Sequence, residues 1–157
     1  MGTQAGKAGH QCHMYINSAT YATPTWVELA LARDSTLADT RAKIEAAARD
    51  SDFIRYVYGL RDVGIDVELI WEPSNAAFTL VQAAYQAGTS IDMAVMDGDI
   101  TVEGSCGVRA DWGVEDLSRP EPLQGLVVAS AKFSPMRTEN PPVDMVIAAE
   151  TTTTAGA

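Results

Sequence analysis

Hydrophobic and polar positions alternate most strictly in LRDVGIDVELIWEPSN, residues 60–75. From residue 63 every second position is apolar, whereas the positions between carry three carboxylates and no base. A period of two over this length is typical of a half-buried β-strand. The apolar side consists of Val63, Ile65, Val67, Leu69 and Trp71, and the acids on the other side are Asp66, Glu68 and Glu72.

The same alternation predicts further strands at residues 25–33, 90–96 and 106–114. Residues 123–135 are apolar at nearly every position up to Ala131, which indicates a strand covered on both faces. Several short strands separated by Gly and Pro are typical of a β-sandwich or barrel.

One helix is signalled by EPSNAAFTLVQAAYQAG, residues 72–88. Ser74 or Asn75 can cap its start, and Gly88 can take the left-handed position that ends it. The apolar spacing predicts that one face packs on the sheet through Phe78, Val81 and Tyr85.

The segment LADTRAKIEAAARDSD, residues 37–52, supports two interpretations. Its intrinsic propensity favours a helix, although the apolar face of that helix would hold one Ile and several Ala. It also alternates as a strand would, with Ile44 and alanines facing one way and charged residues mostly the other.

Length and charge limit the classes of function that the chain can have. A chain of 157 residues suits one domain with a hydrophobic core. Its formal charge of −10, from 21 acidic and 11 basic residues, argues against tight binding to nucleic acid, because affinity for nucleic acid comes mainly from Lys and Arg. A negative charge is compatible with a protein that lies beside DNA without binding it, and also with a protein whose charge only keeps it soluble. No apolar run approaches the roughly 20 residues of a membrane helix, and the N-terminus shows no signal-peptide core, so we expect synthesis in a cytoplasm.

Residues that could carry chemistry are sparse. His10, Cys12 and His13 are close together but lack the further ligands of a zinc site. Cys106 is far from Cys12, and free thiols are expected in a reducing compartment. The acids of MDGDITVE, residues 96–103, lack the glycine and glutamate of a calcium loop, and residues 97–98 fit the two-residue turn of a hairpin. We therefore expect no enzyme activity, cofactor or metal.

The order of these segments resembles the tail tube proteins of long-tailed bacteriophages and their prophage relatives, over roughly residues 22–142. The most specific parts are GLRDVGID (59–66), MDGDI (96–100) and RADWGVEDLSRPEPLQG (109–125). The resemblance implies a mainly β protein, an antiparallel β-sandwich with one flanking α-helix, and a strand across the ambiguous segment. The two ends of the chain are polar and rich in small residues, which predicts an N-terminal arm (1–14) and a C-terminal arm (143–157) on either side of a sandwich domain (15–142).

In that family the sheets of six subunits join into a ring-shaped barrel, and stacked rings form the virion tail tube through which the genome leaves the capsid. The expected partners are further copies of the chain, the tape measure protein, the tail terminator and distal tail proteins, while DNA passes without specific binding. Such a barrel needs polar residues toward its water-filled lumen, and acid there repels phosphate within about 8 Å at physiological salt. The candidate lumen residues are Glu28, Arg41, Lys43, Glu45, Asp66, Glu68 and Glu72.

Residues 33–40 and 98–107 read as polar connectors suited to contacts between subunits or rings. They supply the loop candidates Asp34, Asp39, Asp99 and Glu103. Two alternatives stay open: a tube subunit of a secretion system or headless tail-like particle, and a monomeric acidic β-domain that binds a ligand or receptor.

Overall fold

The computed structural model describes residues 9 and 12–148 of the chain. Most of the expected N-terminal arm, including His10, and residues 149–157 of the C-terminal arm lie outside this part. The helix α1 spans Ala76–Ala87. The strands are β1 (His13–Asn17), β2 (Trp26–Glu28), β3 (Ala32–Glu45), β4 (Tyr56–Ile70), β5 (Ser90–Met96), β6 (Cys106–Ser118), β7 (Val128–Pro135) and β8 (Val143–Val146).

The described strands form one antiparallel sheet in the order β2-β1-β5-β6-β7-β4-β3, and β8 pairs with β6. Strand β6 is shared between two halves of this sheet. Its pairing with β5 ends at Gly113, and its pairing with β7 runs from Trp112 to Ser118. A register shift follows Val114, where a β-bulge bends a strand. We call β3, β4, β7 and the second half of β6 (residues 114–118) the four-stranded half.

The two halves face each other across one hydrophobic core. Ile16 and Met93 contribute from β1 and β5, Ile65 and Phe133 from β4 and β7, and all are fully buried beside Trp112 of β6. The predicted apolar side of β4 is confirmed, because Val63, Ile65, Val67 and Leu69 all belong to this core. The fold is therefore mainly β, as expected, with a curled antiparallel sheet.

The sheet curls because the chain joins its two ends directly. Strand β2 lies at one end of the strand order and β3 at the other, yet only residues 29–31 separate them. The Leu29 amide donates to the Met14 carbonyl at 2.8 Å, and the Ile70 amide donates to the Leu31 carbonyl at 3.0 Å. The predicted strand at 25–33 is thus interrupted where the chain crosses between the halves.

The helix forms as predicted at both ends. The Asn75 side chain accepts hydrogen bonds from the amides of Ala77 and Phe78, and Gly88 ends the helix with φ 67° in the left-handed region. Phe78 and Val81 are buried, but Tyr85 is exposed. The small Ala77 and Ala84 complete the packed face instead, which lets the helix lie close to β5 and β6.

Residues 37–45 of the ambiguous segment are strand, because β3 pairs with β4 up to Glu45, whereas residues 46–52 lie outside the strand. Pairing in the sheet overrides the helical propensity of the alanine-rich stretch. The prediction that residues 33–40 form a connector is wrong, since they lie in the same strand. The two-residue turn predicted at 97–98 is also wrong, because residues 97–105 connect β5 to β6. Two strands fall where arms were expected, β1 from His13 and β8 at Val143–Val146.

Candidate assembly surfaces

The outer side of the four-stranded half is an acidic face. Residues paired across an antiparallel sheet share a face, and the registers place Thr36 opposite Asp66, Asp66 opposite Lys132, and Lys132 opposite Asp116. In the adjoining row Glu68 lies opposite Ser130. These residues line a shallow groove of about 360 Å³, and we define the acidic face as Asp34, Thr36, Asp66, Glu68, Asp116, Ser130 and Lys132. Lys132 thus stands between two carboxylates.

Two strands of this half have a free edge. Among the described strands, β3 pairs with β4 and with no other. On the opposite border, residues 114–118 of β6 pair with β7 but extend past the end of β5, so no described strand pairs with their other side. Unpaired strand edges expose backbone N–H and C=O groups and readily add another strand.

The four-stranded half carries a long extension with exposed apolar side chains. Strand β4 pairs with β7 from Ile65 onward, so residues 38–64 continue past β7 as a two-stranded ribbon, with Val63 at its base still buried in the core. We call this ribbon the hairpin arm and residues 46–55 its tip. Phe53 at the tip is 80% exposed and Leu60 in β4 is 89% exposed. An isolated two-stranded ribbon is at best marginally stable in water, and an exposed apolar patch of this kind marks a contact surface.

An ion-pair bridge ties the arm to the body. Arg61 donates Nε to Asp39 Oδ1 at 3.1 Å and makes a shorter second contact with the same carboxylate through Nη2. On its other side it donates Nη1 to Asp144 Oδ2 at 2.8 Å, which reaches β8. The guanidinium holds the pKa of both carboxyl groups below their usual range, chiefly through these hydrogen bonds. The bridge spans a groove of about 410 Å³ between β4 and β8.

The outer side of β5 and β6 holds a polar network. Arg109 donates Nε to Asp92 Oδ1 at 3.0 Å and Nη2 to the Tyr21 carbonyl at 2.9 Å. Its guanidinium also lies 3.8 Å from the Tyr21 ring centroid. Asp111, although buried, accepts hydrogen bonds from the side chains of Thr138 and Asn140. This network holds the loops against the sheet.

The seven candidate lumen residues do not share one surface. Asp66 and Glu68 lie on the acidic face. Arg41, in contrast, lies directly opposite Arg61 in the strand register. Both residues are on the side of the ribbon that faces the core farther along β4. Lys43 and Glu45 follow at alternate positions of β3 and lie on that same side of the arm.

The other two candidates lie outside the acidic face. Glu28 is in β2, at the far end of the strand order, and its Oε1 is 2.6 Å from His13 Nδ1. Glu72 is exposed between β4 and the helix.

The four loop candidates also lie on different surfaces. Asp34 lies in β3 and lines the acidic face, and Asp39 belongs to the Arg61 bridge. Asp99 and Glu103 do lie in a loop, residues 97–105. There the Asp99 carboxylate accepts the Thr101 amide at 2.8 Å, and hydrogen bonds from Thr101 hold its pKa below the usual range.

Sequence reasoning missed Asp116 and Lys132 on the acidic face. The signal was present in the alternation of β7, where buried Ala129, Ala131 and Phe133 leave Ser130 and Lys132 outward. The prediction of a strand covered on both faces at residues 123–135 is wrong, because Ser130 and Lys132 are exposed and β7 begins only at Val128.

Two features of the described residues concern metal and thiol chemistry. They contain no group of three or more His, Cys, Asp or Glu side chains arranged to hold a metal ion. Cys12 and Cys106 are exposed free thiols. In the described part of the chain, no helix is long and apolar enough to cross a membrane.

Comparison with known proteins links the fold to tubular assemblies. No protein-family model and no curated protein matches the sequence. The fold is similar to a chain in the tail of an empty gene transfer agent (GTA) particle with C6 symmetry, at TM-score 0.72 and 9% identity, covering 91% of this chain and 100% of that one.

Two further solved structures have a similar fold. The SPP1 tail tube gives TM-score 0.69 at 13% identity, covering 92% of this chain and 81% of that one. A chain of the sheath–tube complex of PVC, an extracellular contractile injection system, gives 0.62 at 8%, covering 92% and 94%. The chain therefore has the fold found in the SPP1 tail tube and in the GTA tail.

Proposed function

We propose that six copies of this chain form a ring, and that rings stack into a tail tube with an acidic bore for DNA. The observation that carries this proposal is the four-stranded half, with a free edge on each border and an acidic outer face. Each copy would pair its β3 edge with residues 114–118 of the next copy's β6. The two borders of the half-sheet beside the acidic face would then be paired, as in a closed barrel.

The strand directions suit this closure. The strands alternate in direction across the half-sheet, so β3 and β6 at its borders run opposite ways. A simple rotation therefore brings the next copy's β6 antiparallel to β3, and the contact is heterologous, as in closed rings. Six such halves give a barrel of about 24 strands, above the 16 to 18 that already leave an aqueous channel.

The charges of the acidic face fit a DNA conduit. Carboxylates facing the bore repel phosphates over about 8 Å at physiological salt, so DNA passes without adhering. Lys132 is flanked by Asp66 and Asp116 in the sheet register, so its charge is largely offset within the row. Among the predicted lumen residues, this arrangement favours Asp66 and Glu68, joined by Asp34 and Asp116.

The similar structures support this assembly, because they come from a particle tail with C6 symmetry and from a tail tube. On this proposal the chain is a structural virion protein without enzyme activity, made in the host cytoplasm. It would meet the tape measure, terminator and distal tail proteins at the ends and inside of the tube. The likeness to the PVC sheath–tube complex favours one second candidate, the tube of a contractile injection system.

Sizing and negative-stain electron microscopy of the purified chain test the proposal. We expect rings or tubes to appear as the protein concentration rises. A particle that stays at the monomer mass of 16.7 kDa at every concentration and salt would contradict it and would favour the monomeric binding domain. Particles purified from the producing cell separate the two tube candidates, since a genome-delivering tail is joined to a DNA-filled capsid.

A further inference from the structure

The two ends of the four-stranded half carry exposed apolar side chains. At one end, the tip of the hairpin arm presents Phe53, 80% exposed, and Ile54, 60% exposed. At the other end, residues 119–127 connect β6 to β7 and present Leu123, 100% exposed, and Leu126, 58% exposed. We call residues 119–127 the leucine loop.

The strand registers fix these positions at opposite ends. Tyr56 pairs with Glu45 next to the arm tip. Ile70, at the other end of β4, pairs with Val128, directly after the leucine loop. At about 3.3 Å per residue, the length of β4 separates the two ends by nearly 50 Å.

The leucine loop is held in place at both of its ends. The Arg119 guanidinium lies 4.4 Å from the Trp71 ring centroid and pairs with Glu121 at 2.6 Å. At the other end, the Trp71 amide donates to the Val127 carbonyl at 3.0 Å. Pro120 and Pro122 fix φ within the loop. The structure thus presents Leu123 to solvent from an anchored support.

We propose that rings stack when the arm tip of one copy packs on the leucine loop of a copy in the adjacent ring. This inference rests on the proposed ring. Strands in such a barrel tilt by about 35–45° from its axis, so the two ends of the half-sheet point toward the rings above and below. Each apolar end therefore contacts the opposite end of a second copy in the adjacent ring.

The contact has the symmetry that a tube requires. A patch at one end that fits a different patch at the other end makes a head-to-tail contact, and such a contact repeats without closing along an axis. Burial of Phe53 and Ile54 supplies the apolar centre that stable interfaces contain. It also supports a ribbon that is too narrow to be stable alone in water.

Charge placed in either patch tests the stacking. The variants are Leu123→Asp and Phe53→Lys, separately and together, because a carboxylate facing an ammonium replaces the apolar contact by an ion pair. The matched control is Leu80→Asp, an exposed apolar residue of α1, outside both patches. Circular dichroism checks the fold of each variant, and electron microscopy with sedimentation velocity counts rings and tubes.

Each single variant should form rings but at least tenfold fewer tubes, and the double variant should recover a large part of the loss. The control should form tubes as the original chain does. Tubes of normal length from both single variants, or singles that the double variant does not rescue, would overturn the stacking contact while leaving the ring intact. Absence of rings from the unaltered chain would instead count against the proposed function.

Discussion

Arg109 and Asp92 form a bidentate ion pair across neighbouring strands. Arg109 Nε donates to Asp92 Oδ1 at 3.0 Å and Nη2 donates to Oδ2 at 2.5 Å, and both side chains are largely buried. The carboxylate also accepts Asn17 Nδ2 at 2.9 Å, and the pair raises the pKa of Arg109. Because the guanidinium stacks on Tyr21 as well, this single pair joins β1, β5, β6 and the loop before β2.

Arg109→Met should lower the free energy of unfolding by about 3 kcal/mol, because removal of one partner leaves a buried carboxylate uncompensated. Urea denaturation followed by circular dichroism measures the change. The double variant Arg109→Met with Asp92→Asn should recover part of the loss, since it removes the buried charge as well. Equal losses in the single and double variants would show that packing, and not the unpaired charge, sets the cost.

The sequence predicted the core more fully than the surfaces. Strict alternation identified the buried side of β4, and the capping residues located the helix, because these signals are local. The RADW residues that carried much of the resemblance prove to be junctions: Arg109 pairs with Asp92, Asp111 accepts from Thr138, and Trp112 Nε1 donates to the Met93 carbonyl.

The surfaces depended on information that no local pattern contains. Arg41 and Asp66 both occupy polar positions of alternating strands, yet the register between β3 and β4 places them on opposite sides of the ribbon. In the Asp39–Arg61–Asp144 bridge, Arg61 and Asp144 are 83 positions apart in the sequence. Strand pairing over such distances decides which charges meet, and residue spacing alone does not encode it.

Reversing charge on the acidic face should make the tube retain DNA. With Asp66→Lys and Glu68→Lys together, each copy gains two positive charges and loses two negative ones where the bore is proposed. Tubes of this variant should bind duplex DNA at low salt and release it as salt rises, because the attraction is electrostatic. Particles should eject their genomes more slowly. A filter-binding titration and an ejection time course measure the two effects.

A matched charge change elsewhere separates bore charge from total charge. Glu72→Lys with Glu139→Lys makes the same change at exposed residues that lie outside the acidic face. This control should eject DNA at the original rate. If both variants slowed ejection equally, the position of the acids would not matter and the acidic face would not line the bore.

The Arg61 bridge should stabilise the arm in a defined pH range. Asp39 and Asp144 have a lowered pKa in the folded chain, so their contribution is present above the unfolded value of about 3.9 and is lost as pH falls through the folded values. The original chain and Arg61→Met should therefore differ in unfolding midpoint at pH 7 and pH 5 but converge near pH 2. Urea titrations at the three pH values measure this, and a difference that persists at pH 2 would contradict the bridge.

Gly107 should tolerate no side chain, because β5 passes too close to it. A Cβ built there would lie 2.0 Å from the Val95 carbonyl oxygen and 2.6 Å from Met96 Sδ. Backbone cannot yield as a flexible side chain can, so Gly107→Ala should cost about 3 kcal/mol of stability. Gly64→Ala is the control, since its nearest contact would be the Phe133 carbonyl at 3.7 Å, and it should be neutral or stabilise by up to about 1 kcal/mol. Thermal unfolding of both variants provides the comparison, and similar midpoints for the two would show that β5 and β6 are farther apart at Gly107 than this.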